Sequence, residues 1–224
     1  WFPPPESPAP CASMWRGLPF GAKGRGAASG QGVFARPAPT AAEHASPGCP
    51  GLCYVRSEPG RAIPMFDNRP VTLARQHPEH AEGLYAALRD PQIYAFLDGG
   101  PPRSVDDVRE RIERLTEGCP PDGSEIWLNW TVFHGESIVG STQATIVKTG
   151  SASIAYVLSP TVWGKGVAQR AAELTMAELT ERHGVSHLLA DTETGNLPSQ
   201  RLLHRLGFSE THREGRDIFH ARDI

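Results

Sequence analysis

Two glycines stand at a predicted strand-to-helix junction, in the run Trp163-Gly164-Lys165-Gly166-Val167-Ala168. Glycine has no Cβ, so the backbone at Gly164 and Gly166 can approach a ligand closely. The first turn of the following helix carries N–H groups without intrahelical partners and a partial positive charge. The junction therefore suits a pyrophosphate, and a plain glycine turn before a helix is the alternative. Lys165 would either add charge to this site or point into solvent.

The spacing of these glycines excludes two common phosphate-binding motifs. A Walker A loop needs G-x-x-x-x-G-K-[ST], which the sequence lacks. The dinucleotide pattern G-x-G-x-x-G needs a third glycine where Gln169 stands, and the preceding strands are predicted to form hairpins rather than a parallel βαβ unit. A nucleotide-dependent phosphotransferase built on this turn is therefore disfavoured.

Hydrophobic spacing and turn residues predict the elements that hold this junction. Period-two alternation over 126–133, followed by a return strand over 138–147, predicts a hairpin with His134 exposed at its tip. Ser104 is predicted to cap a helix, with Asp107 completing a capping box. Further strands are predicted at 71–74, 154–158, 188–192 and in a pair after Gly207, and further helices around 84–88, 93–97, 168–183 and 196–206. This order predicts an α+β fold, with a mixed, mostly antiparallel sheet of six or seven strands and helices on both faces.

The composition of the chain changes at about residue 64. Residues 1–60 hold eleven prolines and nine glycines, and neither helical nor strand periodicity persists there. Such a stretch buries too little apolar surface to offset its ordering entropy. Residues 1–64 are therefore predicted to be a flexible Pro/Gly/Ala-rich extension, with targeting or partner binding as alternatives. Residues 65–224 are predicted to form one domain.

Charge, hydropathy and cysteine usage exclude several classes of protein. The formal net charge is -3, from 22 basic and 25 acidic residues, so neither nucleic acid nor a membrane surface is an expected partner. No apolar run reaches the roughly 18–20 residues that cross a bilayer. Four cysteines are too few for a disulfide framework and favour a reducing, cytoplasmic setting. Cys49, Cys53 and His44 form only a weak metal motif, and no metal is expected.

A second motif follows the glycine junction after one predicted strand. It consists of Asn196-x-x-Ser199, Leu202-Leu203 and Leu206-Gly207-Phe208. Together the two motifs resemble the Gcn5-related N-acetyltransferase (GNAT) superfamily, in particular its ribosomal-protein N-acetyltransferase (Rim-type) branch. That branch has a tryptophan followed by G-K-G-x-A, and then N-x-x-S ending in L-G-F. The resemblance covers about residues 69–222 and implies the GNAT acyl-CoA N-acyltransferase fold.

The resemblance implies acetyl-CoA as co-substrate and no metal. The amides of residues 164–168 would hold the pyrophosphate, the backbone of residues 156–158 would pair with the pantetheine arm, and Asn196 would bind that arm from the far side. Trp163 stands where many superfamily members have Arg or Gln, as this branch allows. The implied cofactor-binding residues are Tyr156, Val157, Leu158, Trp163, Gly164, Lys165, Gly166, Val167, Ala168, Asn196 and Ser199.

The resemblance also implies an acid and a base. Asp191 lies five residues before Asn196, where some related N-terminal acetyltransferases have a catalytic glutamate; Glu193 is the second candidate, and a cap or turn role is the alternative for Asp191. Many superfamily members have a tyrosine acid seven residues after the asparagine, but here Leu203 occupies that position. The Rim-type branch uses a serine of the same helix, and Ser199 matches it, with helix-start hydrogen bonding as its alternative.

The implied acceptor is a primary amine, either a protein N-terminal α-amine or a small amine. Acidic residues outnumber basic ones in the predicted domain, which favours a cationic acceptor. Apolar candidates for its site, each with core packing as the alternative, are Tyr94, Phe96, Leu97, Trp127 and Trp130. A non-catalytic acyl-CoA-binding or regulatory module is the alternative function, which the leucine at 203 favours. A homodimer is one assembly that the sequence allows.

Overall fold

The computed structural model describes residues 69–116, 123–147 and 150–224; the predicted extension and the Cys49–Cys53 motif lie outside the described residues. Within those ranges the chain forms seven strands and four α-helices. The strands are β1 (Val71–Arg75), β2 (Glu125–His134), β3 (Ser137–Val147), β4 (Ser151–Leu158), β5 (His187–Glu193), β6 (Ser209–Glu214) and β7 (Asp217–Asp223). The helices are α1 (Ala81–Leu88), α2 (Val105–Thr116), α3 (Val167–His183) and α4 (Leu197–Arg205), with 3-10 helices at Pro78–His80, Pro91–Phe96 and Pro160–Val162.

One seven-stranded sheet, in the order β1-β2-β3-β4-β5-β7-β6, organises the described residues. Neighbouring strands are antiparallel except β4 and β5, which run parallel because α3 crosses over between them. The predicted α+β class, with a mixed and mostly antiparallel sheet, is confirmed. None of the described helices is long and apolar enough to cross a lipid bilayer.

Helices cover both faces of the sheet, and each face has its own core. On the first, here called the α3 face, α3 and α4 pack on the sheet around Leu128, Trp130, Ala144, Ile154, Ala172, Leu179, Leu188 and Leu203. On the second, the α1 face, α1, α2 and the 3-10 helix at Pro91–Phe96 pack around Leu84, Leu88, Ile93, Val108, Ile112 and Val157. The central strands are therefore buried between two helical layers.

Because helices cover both faces of the sheet, burial along β2 does not alternate with the period of two that the sequence predicts. Residues 128–132 are buried without interruption. Leu128 and Trp130 enter the α3-face core, whereas the hydroxyl of Thr131 lies 3.0 Å from Nδ1 of His80, just before α1. The prediction that His134 is exposed is wrong. Its side chain is 1% exposed, since β1 continues alongside β2 until Val71 lies opposite His134.

Local hydrogen bonds start and stop the helices largely as predicted. The hydroxyl of Ser104 accepts a hydrogen bond from the backbone N–H of Asp107 at 3.1 Å, which confirms the α2 cap. The carboxylate of Asp107 accepts from the N–H of Arg103 at 3.0 Å, one residue earlier than a capping box requires. Gly184 ends α3 with a φ of +63°, a left-handed conformation that glycine adopts without strain.

Gly140 on β3 permits the close approach of β4. A Cβ at this position would lie 2.2 Å from the carbonyl oxygen of Val157 and 2.8 Å from the Cα of Leu158. Both are backbone atoms that the sheet holds in place, so Gly140→Ala is expected to lower the free energy of unfolding by roughly 3 kcal/mol or more. Urea unfolding measures this change. The control is Gly150→Ala, where φ is +78° but no atom lies within 4 Å, and about 1 kcal/mol is expected. Equal losses would contradict the clash.

Candidate active site

The strands β4 and β5 separate along half of their length. Their parallel pairing covers only Ser151–Ser153 opposite His187–Leu189. Beyond it, residues 154–158 pair with β3 alone and residues 190–193 pair with β7 alone. The two facing edges therefore have no strand partner, and their backbone N–H and C=O groups can bind an extended ligand. The backbone of residues 156–158, predicted to bind pantetheine, lies on one of these edges.

The glycine turn lies at the end of β4, at the mouth of this opening. Gly164 and Gly166 have φ values of +71° and +78°, and a Cβ on either would have no atom within 4 Å. Gly166 is the N-cap of the 17-residue helix α3 and makes no side-chain cap. The N–H of Arg170 bonds to the oxygen of Gly166 at 3.0 Å, so the N–H groups of the preceding turn are free to bind an anion. The exposed turn fits a diphosphate.

Trp163 connects the glycine turn to the end of β4. Its indole Nε1 donates a hydrogen bond to the carbonyl oxygen of Leu158 at 2.9 Å, while the side chain stays 49% exposed. Lys165 is exposed within the turn, and Val167 and Ala168 form the first residues of α3. The structure thus gathers the residues predicted for the pyrophosphate into one turn, next to the strand predicted for pantetheine.

The other side of the opening is the N-terminus of α4, which follows β5. Asn196 is the N-cap of this helix, and its Oδ1 accepts a hydrogen bond from the N–H of Ser199 at 3.2 Å. The hydroxyl of Ser199 lies 2.8 Å from the hydroxyl of Tyr156 on β4. Burial raises the pKa of Tyr156 to about 12, against the opposing effect of the hydrogen bond to Ser199. One hydrogen bond between neutral hydroxyls therefore spans the gap between β4 and α4.

The side chain of Tyr156 reaches the opening and contacts Ser199, which the sequence motifs did not reveal. They implied a role only for its backbone, because the motif is read from the glycines that follow. The strand period was the available signal, since it places Tyr156 and Ile154 on the same face, toward α4. Leu203, where many superfamily members have tyrosine, is 1% exposed within the α3-face core.

The two candidate bases lie on the face of the sheet opposite to Ser199. Alternate residues of β5 are buried on the α3 face, so Asp191 and Glu193 project from the α1 face, as the strand period predicts. The carboxylate of Glu193 lies 3.5 Å from the guanidinium of Arg216. In the part of the chain that the structure describes, no three or more His, Cys, Asp and Glu side chains cluster so that they could hold a metal.

Aromatic side chains adjoin Asp191 on this face, and the sequence motifs did not indicate them. Asp191 pairs across the sheet with Phe219 of β7. The ring of Phe219 stacks on that of His212, with centroids 4.3 Å apart and 3° between their planes. Residues of β6 and β7 thus border the candidate base, because β7 lies next to β5 in the sheet although it is distant in sequence.

Phe96 is the acceptor candidate that the structure brings to the opening. Its side chain is 37% exposed, and a Cβ on Gly195, in the loop between β5 and α4, would lie 2.8 Å from its Cε1. Leu97 is partly buried against the α1-face core. The hydroxyl of Tyr94 donates to the oxygen of Leu88 at 3.0 Å, and burial raises the pKa of Tyr94 to about 12. Tyr94 therefore serves the local packing of this segment.

The two tryptophans proposed for the acceptor lie elsewhere. Trp130 is 3% exposed in the α3-face core, and the guanidinium of Arg75 lies 5.3 Å from its ring centroid. Trp130 therefore packs in the core, which was the alternative to a role in the acceptor site. Trp127 lies near the start of β2, two strands away from β4 in the sheet. Its Nε1 donates to Glu125 Oε2 at 2.8 Å. Neither tryptophan adjoins the separated ends of β4 and β5.

Comparisons with known proteins identify the family. A family model described as an acetyltransferase (GNAT) domain matches residues 71–209, which is more than half of the chain. No significant match was found among curated proteins.

Solved structures share the fold at low sequence identity. The ribosomal L7/L12 alpha-N-protein acetyltransferase RimL in complex with coenzyme A has 16% identity and a TM-score of 0.60, covering 69% of this chain and 94% of that chain. A GNAT-family acetyltransferase from Bacillus anthracis has 17% identity and a TM-score of 0.57, with coverages of 69% and 95%. A GCN5-related N-acetyltransferase from Brucella melitensis has 17% identity and a TM-score of 0.58, with coverages of 70% and 77%. With the family model, the separated strands and the glycine turn, these matches lead to one conclusion: the chain belongs to the GNAT acetyltransferase family.

Proposed function

We propose that the protein transfers the acetyl group of acetyl-CoA to a primary amine, directly, with both substrates bound. The observation that carries this proposal is the opening between β4 and β5, which ends at the uncapped glycine turn of α3. In the transfer the acetyl carbon exchanges its bond to sulfur for a bond to nitrogen, the amine loses one proton, and the sulfur gains one. A Rim-type enzyme is the proposed subgroup, supported by the motifs around Gly166 and Asn196 and by the fold shared with RimL.

The donor side of the site uses mainly backbone groups. The free N–H groups of the α3 turn would hold the diphosphate, aided by the charge of Lys165. The unpaired edge of β4 would hydrogen-bond the pantetheine amides, and an N–H near Val157 would donate to the carbonyl oxygen as it gains negative charge. Because strand and helix backbones are rigid, these donors are in place before the substrate binds.

The acceptor side must supply a neutral nitrogen. An α-amine has a pKa of about 8, so its deprotonation near neutral pH costs about 1.4 kcal/mol, whereas a lysine costs nearer 5 kcal/mol. Asp191 or Glu193 can take that proton directly or through water, and their negative charge also attracts a cationic amine. The lower cost favours a protein N-terminus or another amine of low pKa as acceptor.

Two measurements on the full chain test the function. Coenzyme A and acetyl-CoA should raise the melting temperature, and acetyl-CoA should release thiol in the presence of some member of a panel of N-terminal peptides, polyamines and amino acids. Stabilisation by acetyl-CoA without thiol release across the panel would favour a non-catalytic acyl-CoA-binding module. Stabilisation by ATP–Mg but not by acetyl-CoA would exclude both of these functions.

Phe96→Ala is expected to raise KM for the amine roughly tenfold and to leave KM for acetyl-CoA within about twofold, because the exposed part of its ring borders the acceptor side. Steady-state kinetics with each substrate varied in turn measure both constants. Ile126→Ala is the matched control, since Ile126 is a 48% exposed apolar side chain near the start of β2. A rise in KM for acetyl-CoA alone would contradict this placement of Phe96.

A further inference from the structure

We propose that Tyr156 is a positioning residue, whose hydroxyl donates a hydrogen bond to Ser199 and thereby directs the Ser199 proton toward the sulfur of coenzyme A. This inference rests on the proposed function. Leu203 of α4 stands where many superfamily members have a tyrosine, and here Tyr156 of β4 supplies a tyrosine hydroxyl instead.

The hydrogen bond lies where the two strands have separated. Tyr156 is three residues beyond Ser153, the last residue of β4 that pairs with β5. Its hydroxyl lies 2.8 Å from the hydroxyl of Ser199 in the first turn of α4. Asn196 holds this turn, because its Oδ1 accepts from the N–H of Ser199. The two hydroxyls are therefore fixed independently, one by a strand and one by a capped helix.

The core on the α3 face explains why this phenol comes from β4. Leu203 lies one helical turn after Ser199 and is 1% exposed, so its side chain belongs to the core. The ring of Tyr156 is partly buried against the same core cluster. A tyrosine on β4 thus brings a hydroxyl to the start of α4, while the helix position keeps an apolar contact.

Either hydroxyl can donate in this bond, and the proposed direction is from Tyr156 to Ser199. Each hydroxyl has one proton and accepts through its lone pairs. When Tyr156 donates, the proton of Ser199 is left for a third atom, and a chain of donors strengthens each bond in it. The thiol of a free cysteine has a pKa of about 8.5, so a thiolate is a tolerably stable anion and a hydrogen bond is enough to assist its departure. The Tyr156 hydroxyl has a raised pKa of about 12 and remains a donor at neutral pH.

The test titrates the thiol of coenzyme A bound to the full chain, following the ultraviolet absorbance of its thiolate. Ser199→Ala and Tyr156→Phe should each raise the pKa of the bound thiol by roughly half to one unit, the size of one net hydrogen bond. The double variant should raise it no further than Ser199→Ala does, because Tyr156 acts through Ser199. Tyr85→Phe, which removes the same atom from a partly buried tyrosine of α1, is the control and should leave the thiol unchanged.

Kinetics give a second readout with an acceptor from the amine panel. Tyr156→Phe should lower kcat roughly tenfold with KM for acetyl-CoA within about twofold, again without further loss in the double variant with Ser199→Ala. An unchanged thiol pKa in Tyr156→Phe, or effects that add in the double variant, would overturn the inference while coenzyme A still bound. A wild-type chain that failed to bind coenzyme A would overturn the proposed function and this inference together.

Discussion

Gly166→Glu is expected to weaken coenzyme A binding at least ~100-fold, measured by calorimetry or by the loss of thermal stabilisation. Two effects combine in this variant. A side chain at φ +78° costs roughly 1–2 kcal/mol and would shift the turn, and a carboxylate at the N-terminus of α3 would repel a diphosphate from the N–H groups that should bind it.

Two controls separate strain from charge. Gly166→Ala introduces the strain and a methyl group without the charge, and a loss of affinity of less than about tenfold is expected because no protein atom lies within 4 Å of the added Cβ. Gly184→Glu places the same side chain at the other end of α3, at φ +63°, and should lower stability without changing affinity for coenzyme A. Normal affinity in Gly166→Glu would mean that the diphosphate binds elsewhere.

Asp191→Asn is expected to lower kcat roughly 100-fold at neutral pH and to leave coenzyme A binding within about twofold of the wild type. Asparagine keeps the shape of the side chain but cannot accept the proton of an ammonium group. The deficit should shrink as the pH approaches the pKa of the acceptor, because the amine then enters the site neutral. A pH profile of kcat in both forms measures this.

Glu193→Gln is the matched comparison for the base. Glu193 lies 3.5 Å from Arg216, which is well exposed, so this ion pair contributes little to stability. We expect Glu193→Gln to lower kcat less than about threefold. A large deficit in Glu193→Gln together with normal turnover in Asp191→Asn would transfer the role of base to Glu193. Normal turnover in both variants would mean that solvent, rather than either carboxylate, takes the proton of the acceptor amine.

Features that depend on near neighbours along the chain were predictable. The glycine turn before α3, the Ser104 cap of α2 and the hairpin between β2 and β3 all follow from residue types at short separations. Their physical causes are local: left-handed φ values, side chains that cap nearby N–H groups, and period-two alternation. The family resemblance likewise came from motifs within single strand–helix units.

Features that depend on which strands and helices become neighbours were decided by the tertiary structure. The separation of β4 from β5 after Ser153 is a property of register, and no residue type near Ser153 signals it. Trp130 is buried because α3 and α4 cover the face of β2 from which it projects, whereas His134 is buried because β1 extends beside it. The bond from Tyr156 to Ser199 joins residues 43 positions apart, which only the crossover through α3 brings together.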